Sequence, residues 1–278
     1  MKLFLAGICV GQTTQLLFAP LKKKEDMTLY FAGEHDIKNG LSRLTGGGWR
    51  NLCVLESFYY ARQNRYFEEL YRNGVDILID SGAFTFMSGT GENIDWDRYT
   101  EEYAAFINKY DITKFFELDI DSIVGIKEVE RLRAKLEQLT EKQCIPVWHV
   151  SRGLDYYKRM VQKYSYVAIG GYVARDVPRQ KLEAAFPFLI QEAHKAKCKV
   201  HGLGYTPLDI AKRKFRFDSV DSTSWIAGNR FGAIYHFNPA TGIMEKYDRP
   251  TGKRVKNLAT AWNNFNEWVK FQQYLRTI

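Results

Sequence analysis

The stretch Asp76-Ile77-Leu78-Ile79-Asp80-Ser81-Gly82-Ala83-Phe84 decides the fold class. It is a short apolar run that stops at a carboxylate and a glycine-containing step, and the same grammar recurs along the chain. Eight such runs are predicted as strands: Lys2 to Ala6, Leu52 to Ser57, Asp76 to Ser81, Lys114 to Ile120, Ile145 to Val150, Tyr166 to Gly170, Lys199 to Tyr205 and Ser219 to Thr223. Helical stretches separate most of them, at Tyr59 to Arg72, Asp95 to Lys109, Ile126 to Glu141, Leu154 to Lys163, Arg179 to Ala196 and Pro207 to Lys214, with Asp95 placed as a helix cap. Alternating strands and helices build parallel sheets. Eight strands with intervening helices in 278 residues predict an α/β fold of the (β/α)8 TIM-barrel kind, with an open doubly wound sheet as the alternative.

Composition sets the outer limits. The chain is 45% hydrophobic and 26% charged, which excludes a disordered polymer, and no apolar run nears the roughly 20 residues that cross a bilayer. Met1 to Val10 has one basic residue, a short apolar core and no cleavage pattern, so a buried strand is expected there and not a signal peptide. Cys9, Cys53, Cys144 and Cys198 are widely separated, and a reducing cytoplasm is the expected setting. Residues 10–50, with Lys22-Lys23-Lys24 and Gly46-Gly47-Gly48, suggest an insertion between the first two strands, and Leu29-Tyr30-Phe31-Ala32 is a further apolar run inside it. No linker or repeat is evident, so residues 1–278 are expected to form one domain.

The net charge is +8 and unevenly spread: residues 226–278 hold eight Lys or Arg against three acidic residues, five of the eight net charges. This basic C-terminal helical tail contains Trp262, Phe265, Trp268 and Phe271 at helical spacing, an arrangement that favours a stripe packed on the body. Lys253, Arg254 and Lys256 beside a Pro-Thr-Gly turn are candidates for phosphate contact.

In a barrel the site forms where strands end, and here those ends carry aspartate and glycine. Asp80, Asp119 and Asp121, Gly170-Gly171, Gly202-Leu203-Gly204, and Asp218 and Asp221 mark them. Carboxylates gathered in this way are costly unless they share protons or hydrogen bonds, and a chain that keeps several together has a use for them. Asp218 and Asp221, three apart on a strand, face opposite sides, so one of them points into the barrel mouth.

Four of these motifs resemble, in the same order, those of the queuine and archaeosine tRNA-guanine transglycosylases. Asp80-Ser81-Gly82-Ala83-Phe84-Thr85 is similar to their Asp-Ser-Gly-Gly-Phe-Gln, Gly170-Gly171 to their Gly-Gly, Gly202-Leu203-Gly204-Tyr205-Thr206-Pro207 to their Gly-x-Gly-Thr-Pro, and Asp218-Ser219-Val220-Asp221-Ser222 to their nucleophile strand. The family's zinc cluster is absent, since no cysteine follows Cys198. Zinc is therefore not expected, and because the implied base exchange conserves one glycosidic bond, no metal or other cofactor is implied. The compact form looks most like phage and bacterial relatives that insert 7-deazaguanine bases into DNA.

The resemblance implies that Asp221 is a covalent nucleophile, that Asp80 is the general acid and base, and that Asp119 contacts the base edge. It implies a base pocket from Ser81, Gly82, Phe84, Gly170, Gly171, Tyr172 and Gly204, with His149 or Ser151 in place of the family's glutamine. Arg175 and Trp225 are candidates for stacking or phosphate contact. The implied partners are DNA, with tRNA as the alternative, and a free 7-deazaguanine base, with no membrane involved. A non-catalytic nucleic-acid-binding barrel is the rival of a different class.

Overall fold

The computed structural model describes residues 27–33, 52–63, 66–82, 85, 94–171, 177–213, 215–226, 232–248 and 257–278. Seven parallel strands form one sheet in the order β3-β2-β1-β7-β6-β5-β4: β1 Thr28–Ala32, β2 Cys53–Ser57, β3 Asp76–Asp80, β4 Val147–Trp148, β5 Tyr166–Ile169, β6 Lys199–Gly202 and β7 Ser219–Ser222. Lys114–Phe116 joins the two sheet edges. Single parallel bridges, Ile79 to Phe115 and Phe116 to Ile145, tie this segment to β3 on one side and to the approach to β4 on the other. Hydrogen bonding thus runs through eight parallel segments around a ring, the plan of a (β/α)8 barrel.

Each strand shows both faces of that ring. Tyr30, Cys53, Leu55, Leu78, Phe116 and Ala168 pack together inside it. Their neighbours Phe31, Val54, Val167, Val200 and Val220 face outward into the helix-packed core. This alternation is the period of two that a pleated strand imposes, with both faces buried. The helices are α1 Phe58–Ala61, α2 Tyr66–Arg72, α3 Trp96–Lys109, α4 Asp121–Val124, α5 Ile126–Thr140, α6 Leu154–Lys163, α7 Arg179–Lys195 and α8 Asn257–Leu275. Asp95 caps α3 as expected, its side chain accepting from the Arg98 N–H at 3.0 Å.

Several expectations need correction. Thr28–Ala32 is not part of an insertion: it pairs in parallel with both β2 and β7, so it is the first stave. Four of its five residues are buried, as an apolar run between two neighbours must be. Lys2 to Ala6 lies outside the described residues. Among the described residues, the stretch Tyr59 to Arg72 holds the two helices α1 and α2, and Pro207 to Lys214 holds a 3-10 turn at Ile210–Lys212 in place of a helix.

The C-terminal segment also differs from a simple tail. An antiparallel hairpin, β8 Ile234–Asn238 and β9 Ile243–Tyr247, precedes α8. Side chains of α8 stand in for a third strand along β8: Asn264 accepts from the Tyr235 N–H at 2.9 Å and donates to the Ala233 carbonyl at 2.9 Å, while Glu267 accepts from the Phe237 N–H at 2.7 Å. On its apolar side, Phe265, Trp268 and Phe271 are buried in the core, and Gln272 donates to the Leu29 carbonyl of β1. Trp262 stands apart from this stripe, 55% exposed. Among the described residues no helix is long and apolar enough to cross a membrane.

Candidate active site

Because the strands are parallel, their C-terminal ends meet at one face of the ring, and the polar residues identified in the sequence collect there. Asp80 closes β3, Asp221 lies on β7, Gly204 follows β6, His149 follows β4 and Gly170 follows β5. Asp221 is buried on the inner side of β7. One of its oxygens, Oδ1, accepts from the Gly204 N–H at 2.6 Å and from His201 Nε2 at 3.1 Å. Asp218 is held elsewhere, accepting from the Val200 N–H at 2.7 Å and lying 3.0 Å from His194 Nε2 on α7. The two aspartates thus part to opposite sides of β7.

Asp80 is electrostatically in reach of the other carboxylates. Burial pushes its carboxyl up to about 7; the Gly82 and Ser81 N–H groups oppose the rise, and the negative charges of Asp119 and Asp221 add to it. The Gly82 N–H donates to Asp80 Oδ2 at 3.0 Å. Gly82 holds this turn at φ +81°, where a Cβ would lie 2.6 Å from Tyr59 Cβ. Only glycine fits that place without displacing α1.

Asp119 and His149 form a second pair, with His149 Nε2 2.9 Å from each Asp119 oxygen. Burial alone would lower the imidazole pKa, but the Asp119 hydrogen bond and charge reverse this and raise it to about 9. His149 is therefore a donor to Asp119 at neutral pH. Beneath them, the buried Arg152 bonds Glu117 at 2.7 Å and Asp121 at 2.9 Å and approaches Asp119 at 3.4 Å, while Arg133 holds the other Glu117 oxygen at 2.9 Å. The two arginines together offset the charge of the fully buried Glu117, and Arg152 also partners Asp121.

Asp119, Asp121 and His149 also have donor atoms within 4.8 Å of one another, close enough to share a cation. Arg152 already supplies positive charge to both carboxylates, and His149 would have to give up a proton to ligate, so the donor set is balanced by the protein itself.

Several expected contacts take another form. Ser81 is fully buried, so it backs the site and does not line it. The Gly170 N–H is engaged by the Trp148 carbonyl at 2.8 Å and is not open to a base. A Cβ on Gly170 would lie 2.6 Å from His149 Cε1, so this glycine makes room for the imidazole. Gly204 likewise uses its N–H to hold Asp221. Gly171 is a buried turn residue at φ +85°. Ser151 is exposed in the 3-10 turn Val150–Arg152, whereas the Nε2 edge of His149 is occupied by Asp119. Trp225 cannot stack on a nucleotide: it is fully buried against Phe31 and Phe265, with Nε1 donating to the Ala32 carbonyl at 2.9 Å. Phe84, Tyr172, Arg175, Lys253, Arg254 and Lys256 lie outside the described residues. Arg152, Glu117 and His201 were not singled out as site residues from the sequence, because their partners come from other strands.

No protein-family model matches the chain, and no curated protein matches it. Among solved structures the chain is similar to one described as a candidate fructose-1,6-biphosphate aldolase from Coccidioides immitis, at 10% sequence identity and a TM-score of 0.50, over 91% of this chain and 88% of that chain. At this identity the likeness shows a shared barrel fold and nothing about the reaction.

Proposed function

We propose that the protein is a guanine transglycosylase that exchanges guanine in DNA for a 7-deazaguanine base through a covalent aspartyl-sugar intermediate. The observation that carries the reading is the pairing of two carboxylates in unlike environments at one barrel mouth: Asp221 with an oxygen fixed by donors, and Asp80 with its proton affinity raised to about 7. The order of the sequence motifs around these residues supports the same assignment.

In the first step Asp221 Oδ2 bonds to C1′ of the nucleotide as the C1′–N9 bond of guanine breaks, and Asp80 gives its proton to the departing purine. In the second step N9 of the incoming base bonds to C1′ and loses its proton to Asp80. The C1′–Oδ2 bond breaks with its electron pair returning to the carboxylate. A group near pKa 7 can serve both steps at neutral pH. Asp119, held by His149, is oriented to accept from a purine edge. The target nucleotide must leave the base stack to reach this depth.

An aldolase reaction through a Schiff base would call for a lysine at a strand's C-terminal end. Among the described barrel strands, Lys114 and Lys199 stand at the opposite ends. Incubation with labelled 7-deazaguanine and either duplex DNA or tRNA tests the substrate. Label in DNA is expected; label in tRNA alone would move the assignment to the RNA enzymes, and label in neither would reject base exchange.

A further inference from the structure

The geometry points to His201 as a positioning residue that fixes Asp221 and makes it a good leaving group in the second half of base exchange. This deepens the reading of Asp221 as the nucleophile and rests on it.

His201 is fully buried inside the barrel, its ring 5.3 Å from the Phe116 ring and 6.3 Å from the Tyr30 ring. Both of its nitrogens are engaged. Nε2 lies 3.1 Å from Asp221 Oδ1, and Nδ1 is hydrogen-bonded to Ser219 Oγ, which in turn is hydrogen-bonded to the Tyr166 hydroxyl. His201 and Ser219 are partners in the β6–β7 register, so the parallel pairing itself sets their contact.

The chain has a direction. An Asp221 carboxylate can only accept, which puts a proton on Nε2; in a neutral imidazole Nδ1 then accepts from the Ser219 hydroxyl, and Ser219 accepts from Tyr166. Burial and the neighbouring acids hold the Tyr166 hydroxyl far above its ordinary pKa, so it remains a donor. Three residues therefore lock one imidazole tautomer against Asp221.

The Gly204 N–H and His201 Nε2–H both aim at Oδ1, which leaves Oδ2 as the attacking oxygen. In the glycosyl ester Oδ1 is a weakly charged carbonyl; when the C1′–Oδ2 bond breaks, negative charge returns to the carboxylate and both donors strengthen. They stabilise the departing state more than the ester, so they speed breakdown of the intermediate relative to its formation.

The test compares the native chain with His201→Leu, His201→Gln, Ser219→Ala and Asp221→Asn on guanine-containing DNA. Covalent adduct is quantified on denaturing gels before and after a chase with unlabelled 7-deazaguanine base. With His201→Leu, adduct decay is expected to slow about 10- to 100-fold while adduct formation changes less, the loss typical of one hydrogen bond to a charged group. The glutamine variant keeps an N–H donor and should recover much of the decay rate. Ser219→Ala should slow decay in the same sense but less, and it keeps the test open if the leucine variant does not fold. Equal decay in all three variants and the native chain, or parallel loss of formation and decay in leucine and glutamine variants alike, would overturn the inference. Adduct that persists in Asp221→Asn would show instead that the nucleophile assignment had failed.

Discussion

Asp80 shows how a buried carboxyl weakens the protein that carries it. Its carboxyl ionises near 7 in the folded chain, against an ordinary value of 3.8. Below pH 4 both folded and unfolded forms are protonated and nothing is lost. Between about pH 4 and 7 the unfolded chain releases the proton first, so folding loses stability as pH rises, and above 7 the loss is constant. Asp80→Asn should therefore raise the melting temperature at pH 8, by roughly 1–3 kcal/mol in stability, and leave it nearly unchanged at pH 4. Thermal melts of both proteins at the two pH values check this; an equal shift at both would show that the carboxyl is not desolvated. Gly82 makes the complementary point. At φ +81°, and with a Cβ only 2.9 Å from Ser57 Oγ as well as close to Tyr59, Gly82→Ala is expected to cost about 2–4 kcal/mol in urea unfolding. A loss under 0.5 kcal/mol would mean that this turn relaxes freely.

The informative unit at the element scale is α8. Its aromatic period was legible in the sequence, because Phe265, Trp268 and Phe271 repeat at helical spacing, and those three are indeed buried. The same reasoning placed Trp262 on the stripe, whereas it lies on the opposite, exposed side; three residues per step drifts behind a 3.6-residue turn. Trp268 is fully buried beside Tyr235 and Phe271, so Trp268→Ala should destabilise the whole chain by about 3–5 kcal/mol in equilibrium unfolding. If only a partial, early transition moves, α8 is a separable unit. The hairpin β8–β9 went unread, although Asn238-Pro239-Ala240-Thr241-Gly242 holds ordinary turn residues. Its strands are short, and their packing depends on Asn264 and Glu267, some thirty residues further along. The first stave was missed for a related reason. Two apolar runs, Lys2 to Ala6 and Leu29 to Ala32, competed for one position, and only pairing with the sequence-distant neighbour β7 identifies the second.

Considered as a whole molecule, the barrel was legible because eight strand-like runs alternate with amphipathic helices, and parallel pairing puts every strand end on one face. The carboxylates of the candidate site were legible for the same reason, since Asp80 ends β3, Asp221 lies near the end of β7 and Asp119 follows the segment 114–116. What holds them was not. Arg152 reaches Glu117 and Asp121 from the neighbouring β4, Gly204 and His201 reach Asp221 from the neighbouring β6, and such partners are set by pairing between strands and not by local spacing. The net charge of +8 belongs to this scale too. If Lys253, Arg254 and Lys256 contact phosphates, replacing all three by alanine should reduce the slope of log affinity for duplex DNA against log salt by about 2.7, from 0.9 per phosphate contact. An unchanged slope would place the nucleic-acid contact elsewhere on the chain.

The proposed covalent intermediate is tested directly by trapping. Native protein incubated with guanine-containing DNA and run on a denaturing gel should give a band shifted by the mass of the attached strand, and Asp221→Asn should abolish that band while native binding to DNA persists. A shifted band that survives in Asp221→Asn would contradict the account, as would its absence from the native protein under conditions where base exchange proceeds.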